Sequence, residues 1–349
     1  MKTIRLGLIG CGNMMEAHAS NINQVDGIEI TVVCDIVRDH AERVAAALGT
    51  NPEIVTDYKS MVDRIDAVLV ALPHDLHYEC GLFFARHKKH IMMEKPLCNT
   101  EEECVHLIEV CEEEDVTLMC AYPVPFRPDI MKLKELVDSG EFGRIIQMSI
   151  WTEQFTRHED ECFWGSTARL GGGQFFSHGC HYVDLLLRFL GKPVEGAHIG
   201  TRVGTPWLLK EGTSAAIFKF ESGAIAYHGA TWGARGTKMG YDFQIITEKG
   251  TLDYDQASGE IRLYSKLDPH QPGVMTPKTQ CTVLHKNEGK RGKETNFEIS
   301  HFVDCVNNHK RPITDGRSAL QGLRIIWKMY DAEQHGLVAD LRGLGLEEV

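Results

Sequence analysis

The chain has 349 residues, 43% of them hydrophobic and 25% charged, with a formal net charge of −12. That length exceeds the size at which a single hydrophobic core stops growing, so two domains are expected, and the composition is that of a folded globular protein, not a disordered one. The acidic balance argues against binding a phosphate backbone, and no apolar run approaches the roughly 18 residues of a membrane helix, so neither nucleic acid nor membrane is expected as a partner.

Ile4–Ile9 reads as a short buried strand that stops at Gly10-Cys11-Gly12, and Asn13–Gln24 follows as a helix. A second strand, Ile28–Cys34, ends at Asp35, and a helix over Arg38–Leu48 is closed by Gly49. Asp66–Leu72, His90–Met93 and Val116–Ala121 give three further strands, separated by helices over Tyr78–His87 and Thr100–Glu114, the latter opened by a Thr cap. Strands alternating with helices predict a parallel sheet covered on both faces.

Pro123, Pro125 and Pro128 break that pattern, which places the domain boundary between residues 122 and 123. A helix over Asp129–Ser139 leads into alternating segments at Ile145–Thr152, Ala215–Phe220, Ala224–Thr231, Tyr241–Thr247 and Gly250–Tyr254, expected to be antiparallel strands. Leu267–Thr295, with Lys286, Lys290, Arg291 and Lys293, reads as a solvated hairpin or loop, and the chain closes with helices near Phe297–Asn307 and Ser318–Gly336. The expected fold is α/β: a doubly wound Rossmann domain over residues 1–122, and over 123–349 an α+β domain with a large, mostly antiparallel, open-faced sheet. The start lacks a leader's cleavage pattern, and the eleven cysteines carry no CxxC pairs, so reduced thiols and a cytoplasmic location are expected.

Gly10 and Gly12 stand where a strand turns into a helix, the place at which backbone N–H groups receive a pyrophosphate; Asn13 and Met14 open that helix. Asp35 lies 23 residues beyond Gly12 at the end of the second strand, as required of an acid that accepts from an adenosine ribose. This favours NAD, while Arg38 leaves room for the 2′-phosphate of NADP. The third glycine of the GxGxxG pattern is replaced by Met15.

Several separated motifs resemble the glucose-fructose oxidoreductase / inositol dehydrogenase / MocA family. They are Gly10-Cys11-Gly12 with His18, the stretch Asp66–His77, the tripeptide Glu94-Lys95-Pro96, and Gly171-Gly172-Gly173 with Gly179, His181 and Asp184. The sequence departs from the family at Ser177, where Asp is usual and where His178 follows, and at Pro125-Phe126-Arg127-Pro128, where an arginine is displaced. The resemblance implies an NAD(P)-dependent enzyme acting on a secondary hydroxyl of a sugar, glycoside or cyclitol. It also implies a homodimer or homotetramer, with the open sheet face available to a second subunit.

Removing a hydride from an alcohol requires a group that takes the hydroxyl proton, and the resemblance gives this work to Lys95 and His181. His178, Asp184 and Ser177 are further candidates for catalysis or substrate contact; the first two would share a helical face with His181 in an i, i+3, i+6 series. Trp151, Arg157, His158, Trp164 and Arg169 are the residue types that grip sugar rings and hydroxyls. The cofactor set comprises Gly10, Cys11, Gly12, Asn13, Met14, Asp35, Arg38, Leu72, Pro73, His74, His77, Glu94 and Lys95, and no metal is expected. Two other readings stand beside the dehydrogenase: a glycoside-cleaving enzyme that keeps NAD bound and oxidises its substrate transiently, and a non-catalytic dinucleotide or sugar sensor.

Overall fold

The computed structural model describes residues 2–156, 167–266, 279–289 and 292–346. The chain begins as β1 (Ile4–Ile9), α1 (Asn13–Ile22), β2 (Ile28–Cys34), α2 (Arg38–Leu48), β3 (Glu53–Val55), β4 (Ala67–Val70), α3 (His77–Arg86), β5 (His90–Glu94), α4 (Glu101–Glu113) and β6 (Leu118–Ala121). It continues through α5 (Pro128–Asp138), β7 (Ile145–Glu153), α6 (Thr167–Leu170), α7 (Gln174–Ser177), α8 (Cys180–Leu190), β8 (Pro193–Thr201), β9 (Thr213–Phe220) and β10 (Ile225–Thr231). It closes with β11 (Phe243–Thr247), β12 (Thr251–Asp255), β13 (Glu260–Lys266), β14 (Thr279–Lys286), α9 (Asn296–Asn308), α10 (Gly316–Gln334) and β15 (Ala339–Asp340).

Two compact units result. The first holds Met1–Pro123, Ala168–Gly171 and Gly292–Leu323. Its six parallel strands run in the order β3-β2-β1-β4-β5-β6, the doubly wound order. Every residue of β4 and β6 is buried, as helices on both faces demand. Thr100 and Glu103 form a reciprocal cap on α4, and Gly49 ends α2 in the left-handed region. The first division falls between Pro123 and Val124, one residue from the expected boundary, but the expectation that all of 123–349 forms one domain is corrected by the return of Ala168–Gly171 and Gly292–Leu323 to the first unit. Buried Ile299, Phe302 and Val303 give α9 an apolar side that must be covered, and α9 packs against α1. The following turn pairs with β6, where Cys120 N donates to Thr314 O at 2.8 Å.

The second unit holds Val124–Thr167, Gly172–Arg291 and Arg324–Val349. Its nine strands run β14-β13-β12-β11-β7-β10-β9-β8-β15, antiparallel throughout except for the β10–β7 pair. Alternation along the strands separates two faces. On one, Ile150, His228 and Phe243 lie side by side, and Tyr182 of α8 packs over them with ring centroids 5.2 Å from His228 and 6.2 Å from Phe243. The opposite face carries exposed Ile199, Ile217 and Ile225 with Tyr227 and Trp151, whose rings stand 6.4 Å apart. Within the stretch 267–295 expected as a hairpin or loop, Thr279–Lys286 forms β14, which pairs with β13 just before that stretch, while 267–278, Lys290 and Arg291 lie outside the described residues.

Candidate active site

In the first unit the Gly10–Met14 turn follows β1. Gly10 has φ of 82°, and a Cβ there would stand 2.5 Å from the Ala71 carbonyl oxygen, so only glycine fits. A Cβ on Gly12 would meet nothing within 4 Å, and Gly12 supplies no side-chain cap to α1. The first amides of α1, on Asn13 and Met14, therefore border an open cradle of the kind that receives a phosphate. Asp35 closes the turn from below: Oδ2 accepts from Cys11 N at 2.7 Å and Oδ1 from Val37 N at 2.8 Å. Each carboxylate oxygen keeps a further lone pair, which suits a ribose hydroxyl. Arg38 is exposed and paired with Glu42 at 2.9 Å.

The structure corrects Cys11. Its amide is committed to Asp35 and its thiol is buried, with burial and then the charge of Asp35 pushing the thiol up to about 12, so Cys11 shapes the turn instead of presenting a side chain. His77 is corrected likewise. Fully buried, it lies between two carbonyl oxygens, Nδ1 2.8 Å from Pro96 O and Nε2 2.9 Å from Leu72 O, so its ring N–H is taken up by the backbone of the loops after β4 and β5. Burial pushes His77 below the usual imidazole value, and it pushes His74, which lies against the Leu170 carbonyl at 3.0 Å, well below. Leu72 and Pro73 adjoin the glycine turn, Leu72 Cδ2 standing 3.1 Å from where a Gly10 Cβ would be.

Glu94 ends β5 and is buried. One carboxylate oxygen meets His18 Nε2 at 2.7 Å and the other accepts from Lys95 N at 3.2 Å; the Lys95–Pro96 peptide is cis. Burial opposes the Glu94 charge, but the bond and charge of His18, with Lys95, outweigh it and leave the carboxyl below its ordinary value. The family histidine of the first motif thus holds the glutamate of the third. Two neighbours carried no recognisable signal in sequence. Lys293, read there as part of a solvated loop, reaches α1: its Nζ is 3.4 Å from Met14 Sδ and its carbonyl accepts from Asn21 Nδ2 at 2.8 Å. Glu298 on α9 is fully buried, and burial, then the charge of Glu94, push its carboxyl well above the ordinary range.

In the second unit, α7 ends at Ser177, with His178 as its C-cap, and α8 begins at Cys180, so His178, His181 and Asp184 do not share the continuous helix face expected for them. Glycine at 179 separates the two helices. Asp184 is corrected as a substrate contact: it is buried and held by Arg188 in two bonds of 2.7 and 2.9 Å. Ser177 is also buried, within α7. His178 and His181 do come together, their centroids 5.7 Å apart, and Tyr182, Trp232 and Tyr241 stand within 5.4–6.4 Å of His178. Burial pushes the Tyr241 phenol up to about 12 and the Tyr182 phenol well above its usual value, so both remain protonated at pH 7. Trp151 is corrected too, since the pleat turns it to the sheet face opposite α8.

Arg169, in the first unit, pairs with Asp75 at 3.2 Å. Arg157, His158 and Trp164 lie outside the described residues. Among the described residues no group of three or more His, Cys, Asp or Glu is arranged to hold a metal ion, no helix is long and apolar enough to cross a membrane, and the ten cysteines are free thiols, all but Cys281 buried.

A doubly wound sheet whose first turn is a glycine cradle, followed by an acid at the end of β2, defines a dinucleotide-binding enzyme unit. Residues 4–122 match the oxidoreductase family with an NAD-binding Rossmann fold, and residues 130–253 match the GFO/IDH/MocA C-terminal domain; the chain belongs to this family of NAD(P)-dependent oxidoreductases. It is 24% identical over 330 residues to scyllo-inositol 2-dehydrogenase (NAD(+)) of Bacillus subtilis, covering 92% of each chain. It is also 24% identical over 310 residues to 2,7-anhydro-N-acetylneuraminate hydratase of Escherichia coli, covering 82% of this chain and 81% of the relative. The fold is shared with levoglucosan dehydrogenase, solved with NADH and levoglucosan, at a TM-score of 0.85 and 18% identity over 98% of this chain and 100% of that one.

Proposed function

We propose that the enzyme transfers a hydride between NAD, with NADP as the alternative, and a secondary hydroxyl of a sugar, glycoside or cyclitol. The observation that carries this reading is the buried His18–Glu94 pair, which fixes the backbone at Lys95, the first residue beyond β5, on the unit that holds the glycine cradle. Asn13 and Met14 amides would hold the diphosphate and Asp35 the ribose; the bound nucleotide supplies the hydride acceptor. Lys95 and His181 are assigned the hydroxyl proton. The scyllo-inositol relative supports the substrate class.

The test is absorbance at 340 nm with added NAD or NADP and a panel of inositols, aldoses, sugar acids and aryl glycosides. Stoichiometric growth of reduced cofactor with one carbohydrate class supports the proposal. A second reading, transient oxidation with no net redox change, is favoured by Ser177 in place of the family Asp and by the hydratase relative. In that case the purified protein carries bound NAD, and product is released with no net gain at 340 nm.

We also propose that the subunits associate through the sheet face of Ile199, Ile217, Ile225, Tyr227 and Trp151, which resembles an exposed apolar patch of the kind that marks an interface.

A further inference from the structure

We infer that Lys293 is a dinucleotide-binding residue, its ammonium group meeting the diphosphate of the cofactor at the start of α1. The backbone at Lys293 is fixed just ahead of α9: its carbonyl accepts from Asn21 Nδ2 at 2.8 Å and from Thr295 N at 2.9 Å. From there the side chain runs back along α1, and its Nζ stands 3.4 Å from Met14 Sδ. Met14, His18 and Asn21 share one face of that helix, spaced i, i+4, i+7, so Lys293 lies over the face that carries the buried His18–Glu94 pair. The residue is exposed, as are Gly12 and Asn13, so a ligand entering the cradle can reach it.

A cation is out of place there without an anion. The first amides of α1 make that end of the helix positive, the end at which acidic and not basic groups are stabilised. Glu16, the acid of the first turn, is turned to Arg43 at 3.4 Å, and the one hydrogen-bond partner of Lys293 Nζ among the described residues is a thioether, a weak acceptor. Desolvation against α1 pulls the Lys293 ammonium below the usual lysine value; the charge of Glu94 offsets part of this, and the charge of Lys95 adds to it. A diphosphate held by the Asn13 and Met14 amides removes the conflict, because its charge satisfies the helix end and Lys293 together. The stretch Gly292–Leu323, which returns to the first unit, thus brings a side chain to the nucleotide turn. The inference rests on a dinucleotide entering the cradle and not on which reaction it then serves.

The test is titration of nucleotide-free protein with NADH and with ADP-ribose, which keeps the diphosphate and lacks the nicotinamide, alongside the Tm of the apo protein. Lys293→Met is expected to weaken both ligands alike by about ten-fold or more and to reduce the ionic-strength dependence of NADH binding. Lys293→Arg, which keeps the charge, is expected to bind NADH within about three-fold of wild type. The apo Tm of Lys293→Met is expected to equal or exceed that of wild type, because an unfavourable charge leaves the helix end. Unchanged NADH affinity in Lys293→Met overturns the inference, as does a loss confined to NADH, which would place the ammonium at the nicotinamide end. A lower apo Tm with unchanged NADH affinity would show that Lys293 serves the fold by offsetting Glu94 instead. Binding is read with no substrate, so a failed substrate panel would leave these outcomes intact.

Discussion

Glu94 shows how one side chain links the sequence motifs to chemistry. Its carboxylate has a bond to His18 on one oxygen and to the Lys95 amide on the other, in a place with almost no water. Because the folded carboxyl lies below its ordinary value, its contribution to stability is complete above the unfolded value near about 4.3 and is lost as pH falls through the lower folded value. Removing the imidazole leaves a buried carboxylate with a partner missing. His18→Ala should therefore cost about 2–4 kcal/mol at pH 7 in urea unfolding, and the gap to wild type should narrow below pH 4. Equal stability at pH 7 would show that the pair contributes nothing. Asp35 has a similar dual character: spacing from Gly12 marked it as a ribose acceptor, and the structure adds that it also ties β2 to the glycine turn.

Among the elements, α7 is short and depends on neighbours for its first amide partners. A Cβ on Gly173 would stand 2.1 Å from Glu211 Oε2, and that carboxylate is already held by Tyr330 and Phe175 N, so it has little freedom to yield. Gly173→Ala should lower stability by about 1–3 kcal/mol in the same denaturation measurement, and an unchanged midpoint would mean that the Glu211–Tyr330 clamp shifts freely. The clamp was not legible in sequence, because its members are separated by more than a hundred residues and neither belongs to a local pattern. The first unit was legible for the opposite reason. Its strands are buried on both faces and read as apolar runs between turn signals, so the spans Ile4–Ile9, Ile28–Cys34 and Arg38–Leu48 agree residue for residue. The three-residue β3 left no such trace, nor did β13 and β14, whose hairpin is polar on the outside. Site residues followed the same division. Gly10 and Asp35 were located by position and spacing, and Glu94 and His18 by resemblance to the family's motifs, whereas Lys293 and Glu298 reach the same unit through tertiary packing. Trp151 was misplaced because residue type was weighed without the two-residue period of its strand.

At the scale of the molecule, the nine-stranded sheet leaves one face with three exposed isoleucines in neighbouring strands. If that face joins subunits, Ile217→Glu should convert an oligomer to monomer in light scattering while leaving cofactor binding intact; a wild-type monomer at working concentration would remove the proposed interface. Under the proposed function the glycine cradle binds the nucleotide while Lys95 serves the hydroxyl. This is tested most directly by measuring NADH binding and 340 nm turnover side by side for wild type and Lys95→Ala. The account predicts NADH affinity within about three-fold of wild type and a loss of kcat of at least about 100-fold. Full turnover in Lys95→Ala, on a substrate that wild type oxidises, would contradict it.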